Sequence, residues 1–309
     1  MADSSSPRSG AFPEPSQHPL GAPTGKPPTI DPVAVIRSKA YIGALVLAAI
    51  VGIPVSAIAY GFLALVAAIQ RYLFTDLPNQ LFGQAPPAWW PLPWLLVCGL
   101  LTALTIRYLP GNAGHSPAFG FKTGGGPPTG RELPAVALAA LTTLSLGAVL
   151  GPEAPLIAIG GGLGALTVRL AKKDAPPMAQ TVMASAGSFA AISTLLGSPV
   201  LGAFLIMEAA GIGGMTLSLV ALPGLLASGI GALVFVGLDN WTGLGTFSLA
   251  LPSVPPPVPP TVASLAWAIV MGVVGALLGW LIRSLALRLR PIVHLNRVLV
   301  TVLLGLLIG

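Results

Sequence analysis

The stretch LGPEAPLIAIGGG, residues 150–162, places a single carboxylate, Glu153, between two prolines and between two apolar runs. The whole chain resembles these runs in composition: 54% of its 309 residues are hydrophobic and 8% are charged, with a mean hydropathy of +0.86. A soluble domain averages about 25% charged residues. The composition therefore predicts an all-α polytopic membrane protein, in which an intramembrane acid is a candidate functional residue.

Apolar segments long enough to span a bilayer recur along the chain. The predicted spans are residues 41–70, 91–106, 133–150, 215–237 and 261–282, with a short pair at 178–196 and 199–210 and a last apolar run from residue 298. Residues 155–168 are apolar but, at 14 residues, too short to cross unaided. Residues 1–33, rich in Pro, Ser and Gly, are predicted to be a disordered cytoplasmic tail. A short amphipathic helix is expected at 33–39 and a stiff proline linker at 251–260.

The basic residues orient these spans, because loops rich in Lys and Arg stay cytoplasmic. A cytoplasmic N-terminus in the plasma (inner) membrane puts 14 of the 15 basic residues inside, with Arg71 as the exception. Residues 133–168 must then enter the membrane and return on the same side. Glu153 is thereby predicted to lie at the tip of a re-entrant turn, where irregular backbone is tolerated only when buried in protein or lining a water-filled cavity.

Two of the nine acids, Glu153 and Glu208, fall within apolar segments. Gly151-Pro152 precedes Glu153, and Pro155 suits the first turn of a following helix. Unpaired amides and a partial positive charge at a helix N-terminus favour an anion. The Glu153 carboxylate is expected to occupy that site and to leave it on protonation or on displacement by a dissolved anion. A buried acid that bonds helix ends is the structural alternative, and Glu208 could also reach the cytoplasmic interface.

A second Gly-rich stretch, LPGNAGHSP at residues 109–117, follows a span directly. Its amides and the Ser116 hydroxyl could hold an anion, and His115 could titrate near neutral pH. An ordinary turn is the alternative interpretation. The single cysteine, Cys98, excludes a disulfide framework. No hydrolase, nucleotide or metal motif is present, no cofactor is expected, and no basic patch with interleaved aromatics indicates a nucleic-acid partner.

These residues resemble the chloride channel and chloride/proton antiporter (CLC) family. The resemblance is carried by Arg131-Glu-Leu-Pro134, by LGPEAPLIAIGG, by residues 184–199 and by LGAFLIMEAAG. It implies an inverted-repeat fold with broken and re-entrant helices, in which residues 34–250 form the first repeat and residues 261–309 begin an incomplete second one. It also implies a homodimer in the lipid bilayer with chloride as the ligand. The family's gating glutamate corresponds to Glu153, in Gly151-Pro152-Glu153-Ala154-Pro155, and its central anion loop corresponds to residues 113–117, with Gly114, His115 and Ser116.

Three departures from the family pattern modify these expectations. Pro152 replaces the family's arginine and removes one backbone N–H from the outer site. Gly114 stands where the family has a serine hydroxyl. The family's Glu-Glu pair reads Glu208-Ala209, so the internal proton relay is expected to be absent, which favours passive conduction over antiport.

Anion transport, as a voltage- or pH-gated channel or as a proton-coupled exchanger, is therefore the leading functional prediction. A secondary transporter for another small anion and a non-conducting membrane subunit or fragment remain alternatives. An intramembrane enzyme with Glu153 as a general base lacks a nucleophile or metal set, so the protein is not expected to be an enzyme.

Overall fold

The computed structural model describes residues 36–83, 86–111, 127–148, 150–171, 175–209, 214–249, 256, 259–295 and 297–308. All regular structure in these ranges is helical. The α-helices are α1 Lys39–Arg71, α2 Leu77–Phe82, α3 Pro91–Tyr108, α4 Leu133–Ser145, α5 Glu153–Ala171, α6 Pro177–Ala191, α7 Pro199–Ala209, α8 Gly214–Thr242, α9 Val262–Leu295 and α10 Arg297–Ile308. A π-helical turn, Tyr72–Asp76, joins α1 to α2.

Five helical stretches in the described ranges are long and apolar enough to cross a membrane. They are Lys39–Phe82, Pro91–Tyr108, Glu153–Ala171, Leu219–Thr242 and Val262–Ile292. The prediction of an all-α integral membrane protein is confirmed.

Several predicted boundaries were wrong. The segment expected at 155–168 is a 19-residue helix that begins at Glu153 and has the length of a span. Lys39 does not end an amphipathic helix, because Ser38 is extended and its Oγ accepts from Tyr41 N at 3.1 Å, which starts α1 there. Helix α9 continues past residue 282 to Leu295, since arginines end an apolar span while remaining good helix formers.

The core lies where α1, α5, α6 and α8 meet. Leu156 of α5, Phe189 of α6 and Phe235 of α8 are almost completely buried there. Small residues bring α5 and α6 together: a β-carbon on Gly160 or on Gly187 would overlap the other glycine's carbonyl oxygen. The run Gly160–Gly162 therefore serves close helix packing.

Helices α4 and α5 form an antiparallel pair that places Glu153 at its turn. The beginning of α4 lies beside the later half of α5, since a β-carbon on Gly162 would contact Leu133 and one on Gly130 would lie 3.1 Å from Leu166 Cδ1. Residues 146–152 connect the two helices at the opposite end. The pair matches the turn that the charge pattern predicts.

Helix α9 has no buried side chain among those described, and every side chain from Val262 to Arg283 is exposed. Its side chains are apolar on every side from Val262 to Ile282. Such a helix is typical of a membrane span surrounded by lipid or by other protein. Helix α10 then packs on α3, where a β-carbon on Gly99 would lie 2.9 Å from Thr301 O.

Candidate functional site

Glu153 is the first residue of α5. The Leu156 N–H donates to Pro152 O at 3.0 Å and so closes the first turn of the helix. A carboxylate at this position faces the positive end of the helix dipole, which stabilises a negative charge by about 0.3–1 kcal/mol at an exposed site and more when partly buried.

The Glu153 side chain folds back over the residue two positions earlier. A β-carbon on Gly151 would overlap Glu153 Oε2 and would lie 2.8 Å from its Cδ. The side chain is half-buried, and no hydrogen bond or ion pair joins its carboxylate to another residue in the described part of the chain. The carboxylate therefore lies over Gly151 at the positive end of the helix dipole.

Few amides remain at this helix end to hold an anion. The first four N–H groups of a helix have no partner within the helix, and here they belong to residues 152–155. Two of these residues are prolines, Pro152 and Pro155, which carry no N–H. Only the amides of Glu153 and Ala154 remain, and Ala154 is exposed.

The turn that leads to Glu153 is anchored to α1. Gly147 has a φ of +97° and terminates α4, and Ala148 N donates to Thr143 O at 3.2 Å in the bonding pattern of a Schellman end. The Leu144 carbonyl at the same end accepts from Gln70 Nε2 of α1 at 2.8 Å. Phe74 of the π-helical turn lies against Gly147, with its Cζ 3.0 Å from where a β-carbon would be.

The other predicted site residues lie elsewhere. Glu208 is exposed near the C-terminal end of α7, and no hydrogen bond or ion pair links it to Glu153 in the described ranges. Gly114, His115 and Ser116 lie outside the described residues. Within the described part of the chain, no three His, Cys, Asp or Glu side chains cluster as metal ligands would.

Sequence reasoning missed three contributors to this site. Gln70 and Phe74 act through contacts more than 70 residues away in sequence, which no local pattern reveals. The missing amide of Pro155 was readable from the sequence, because a proline in the first helical turn removes a donor wherever it occurs.

Comparisons with known proteins place this geometry in context. The X-ray structure of a slow cyanobacterial Cl-/H+ antiporter superimposes with a TM-score of 0.65 at 21% identity, over 86% of this chain and 62% of that chain. Salmonella newport, agona and typhimurium each have a protein named "Putative ion-transport protein YfeO" that is 29% identical over 161 residues, covering 52% of this chain and 38% of the relative. The chain thus spans less than two thirds of the length of these proteins.

The family comparison covers a larger share of the chain than the curated relatives do. Residues 120–309, which include α4 to α10 and the turn at Glu153, match the family described as Voltage gated chloride channel. Because the match extends over more than half of the sequence, this protein belongs to the voltage-gated chloride channel family.

Proposed function

We propose that this protein takes part in the movement of chloride or a similar small anion across a membrane, with Glu153 as a carboxylate gate. The observation that carries the proposal is the position of Glu153: its carboxylate is folded over Gly151 at the start of α5 without a partner in the described ranges. A tethered carboxylate and a dissolved anion compete for the same helix end. Protonation of the carboxylate removes its charge and leaves the site to the anion.

The amide count refines this proposal. With Pro152 and Pro155 at the helix end, the outer site has two amides, from Glu153 and Ala154, where a helix without prolines would offer four. An anion held there is bound weakly and exchanges quickly. Gly114, His115 and Ser116 are the proposed second anion site, carried over from the family resemblance.

Passive conduction is the favoured mode within this proposal. Ala209 stands at the second place of the family's Glu-Glu pair, so the chain offers no carboxyl group at that position. Glu208 is the neighbouring acid and is the weaker candidate for a proton-transferring group. A homodimer with one pathway per subunit, an inner-membrane location and a cytoplasmic N-terminus belong to the same proposal.

A membrane subunit that does not conduct by itself is the second candidate function. The exposed apolar surface of α9 favours this second candidate. None of the described side chains of α9 is buried, so another protein could pack against the helix. A secondary transporter for another small anion would use the same helix end. Calorimetric titration with chloride and with small organic anions separates that alternative from chloride transport.

The deciding experiment is anion efflux from liposomes that contain the purified protein, measured between pH 4 and pH 8. The wild-type flux is expected to rise as pH falls, because protonation neutralises Glu153. Glu153→Gln and Glu153→Ala are expected to give a flux that no longer depends on pH. Arg107→Gln is the control, since it removes a charge from an exposed side chain at the end of α3 and leaves Glu153 unchanged. Absence of chloride flux in the wild type would favour the non-conducting subunit, and unchanged pH dependence in both Glu153 variants would remove Glu153 from the gate.

A further inference from the structure

Arg71 is the basic residue that the charge pattern leaves on the outer side of the membrane. It ends α1 and lines an open cleft of about 590 Å³ together with Gln70, Phe74, Thr75 and Gly147. Phe74 and Thr75 of the cleft belong to the π-helical turn Tyr72–Asp76, and short π-helical segments occur frequently at functional sites. The guanidinium group, the Thr75 hydroxyl and the Gln70 amide together supply several hydrogen-bond donors for an anion.

The same cleft borders the turn that carries the proposed gate. Gly147 lines the cleft and precedes Glu153 by six residues, so their Cα atoms are at most about 21 Å apart. Gln70 fixes this arrangement by donating to Leu144 O at 2.8 Å. Arg71 and Glu153 therefore lie at the same end of the helix bundle, whichever way the protein is inserted.

The aromatic residues around the cleft are typical of the boundary between membrane and water. Trp90 Nε1 donates to the carbonyl oxygen of Leu73 in the π-helical turn at 2.9 Å. The Trp90 ring lies 5.4 Å from the Phe82 ring and 5.9 Å from the Trp94 ring. Tryptophan is enriched at the two membrane–water interfaces, and the Arg71 side chain beside this cluster is 78% exposed.

We propose that the Arg71 cleft is an outer capture site for small inorganic anions, from which they pass to the helix end at Glu153. The inference rests on the proposed transport function for its role, although anion binding in the cleft is testable without transport. Asp76 opposes the capture, because one of its carboxylate oxygens lies 3.9 Å from Arg71 Nε and partly neutralises the guanidinium. Both side chains are substantially exposed, so each can be changed without disturbing the core.

Screening determines the range of the effect. The Debye length is about 30 Å at 0.01 M salt and about 10 Å at 0.1 M. The distance from Gly147 in the cleft to Glu153, at most about 21 Å between Cα atoms, is therefore shorter than the Debye length at the lower concentration, whereas at 0.1 M the Debye length is only about 10 Å. Capture by Arg71 raises the rate of anion arrival at low salt and leaves it unchanged at high salt.

Flux measurements provide the first test. At 10 mM chloride, Arg71→Gln is expected to lower the initial anion flux about twofold to fivefold, and Asp76→Asn is expected to raise it, with both converging on the wild type at 0.5 M. Arg107→Gln is the matched control, since Arg107 is an exposed arginine at the end of α3 and lies outside the cleft. A loss in Arg71→Gln that persists at 0.5 M salt, or equal flux in all variants at 10 mM, overturns the proposal.

Chemical labelling provides a second test that needs no transport. In a Cys98→Ala background, Thr75→Cys puts one thiol in the cleft. An anionic methanethiosulfonate reagent is expected to react faster than a cationic one, and adding Arg71→Gln is expected to reverse that preference. Replacing gluconate by chloride at constant ionic strength should slow the anionic reagent when Arg71 is present. If neither Arg71→Gln nor chloride changes the rates, the cleft does not bind anions, and that result stands whether or not the protein transports.

Discussion

The Glu153 carboxylate lies directly over Gly151, at a position where any β-carbon on residue 151 would overlap Glu153 Oε2. The glycine is required here for space, because its φ lies outside the left-handed region that would otherwise favour glycine. The proposed resting position of the gate thus depends on the absence of one methyl group.

Gly151→Ala is expected to displace the gate without unfolding the protein. The atoms in the way belong to the far end of the flexible Glu153 side chain, and residue 151 is exposed, so the free energy of unfolding should change by less than about 1 kcal/mol. Anion flux at neutral pH should rise and its pH dependence should shrink. In the Glu153→Gln background, Gly151→Ala should change the anion flux little further. A double-mutant cycle of flux measurements tests this. If Gly151→Ala changes the flux equally in the wild-type and Glu153→Gln backgrounds, its contact with the Glu153 side chain is not the cause of the change.

Pro152→Ala is expected to strengthen anion binding at the start of α5. The substitution returns one N–H to the helix end, and a hydrogen bond to a charged group contributes about 1.5–3 kcal/mol. The dissociation constant for chloride, measured by calorimetry in the Glu153→Gln background to remove the competing carboxylate, should fall about tenfold if the new N–H points at the anion.

Pro155→Ala is the matched variant, because it restores an amide three residues further along the same helix turn. Unchanged chloride affinity in both proline variants would mean that the anion is held by groups other than these amides. Thermal unfolding of each variant should be measured alongside, because loss of a proline also increases the entropy of the unfolded chain by the equivalent of about 0.4–1 kcal/mol.

Most of the fold was predictable because apolar run length and charge position are local properties. The apolar runs predicted α1, α3 and α8, and the basic loops predicted the antiparallel α4–α5 pair. The π-helical turn at Tyr72–Asp76 was missed, since its sequence YLFTD is as compatible with an α-helix as with the wider turn. The extent of α5 was also wrong, because the apolar run ends at residue 168 while the helix continues through Arg169 to Ala171.

The sequence predicts the residues around the start of α5, Gly151, Glu153 and Ala154, as the candidate site, and it does not predict the residues that pack behind them. Glu153 is predicted as a functional residue because it is an acid within an apolar run. Its flanking prolines predict the start of the helix. Its support by Gln70 and Phe74 depends on the packing of α1 against the end of α4, which tertiary structure decides. The charge pattern identifies Arg71 as an exception. The sequence does not show that Arg71 lines a cleft next to Gly147, because that contact depends on tertiary structure.

Gly187→Ala is expected to destabilise the protein by separating α5 from α6. A β-carbon there would overlap Gly160 O and would lie 3.2 Å from Gly164 Cα, and backbone atoms cannot move aside as a side chain can. Overpacking of this kind costs about 1–3 kcal/mol or more. The midpoint of thermal unfolding should fall by several degrees. Gly61→Ala in α1 is the control, since nothing lies within 4 Å of its β-carbon position, and it should be neutral or slightly stabilising.

Glu132 is expected to make stability sensitive to acid. Its Oε2 accepts from Thr129 N at 2.7 Å and from Thr129 Oγ1 at 2.9 Å, and these hydrogen bonds lower the pKa of Glu132 below its ordinary value of 4.5. A lowered folded-state pKa means that the stabilisation is fully present above pH 4.5 and is lost as pH falls through the folded value. Glu132→Gln should therefore reduce stability at pH 6 and flatten its decline below pH 4.5, as read from unfolding midpoints across pH. If the unfolding midpoint of Glu132→Gln falls below pH 4.5 as steeply as that of the wild type, other carboxyl groups cause the loss of stability in acid.

Gly147→Ala tests whether the turn beside α1 holds the gate. Two penalties combine at this residue: a φ of +97°, which an L-residue adopts at a cost of about 1–2 kcal/mol, and a β-carbon position 3.0 Å from Phe74 Cζ. Gly245→Ala carries the first penalty alone, because its φ is +85° and nothing lies within 4 Å.

The difference in unfolding free energy between the two variants therefore measures the contact between Gly147 and Phe74. If that contact positions the turn, Gly147→Ala should also alter the pH dependence of flux, whereas Gly245→Ala should leave it unchanged. Adding Phe74→Ala to Gly147→Ala should remove the steric penalty from the Phe74 ring. The penalty from the positive φ of residue 147 should remain. Equal stability and identical pH profiles in the two glycine variants would show that the ring of Phe74 moves aside freely and that α1 does not position Glu153.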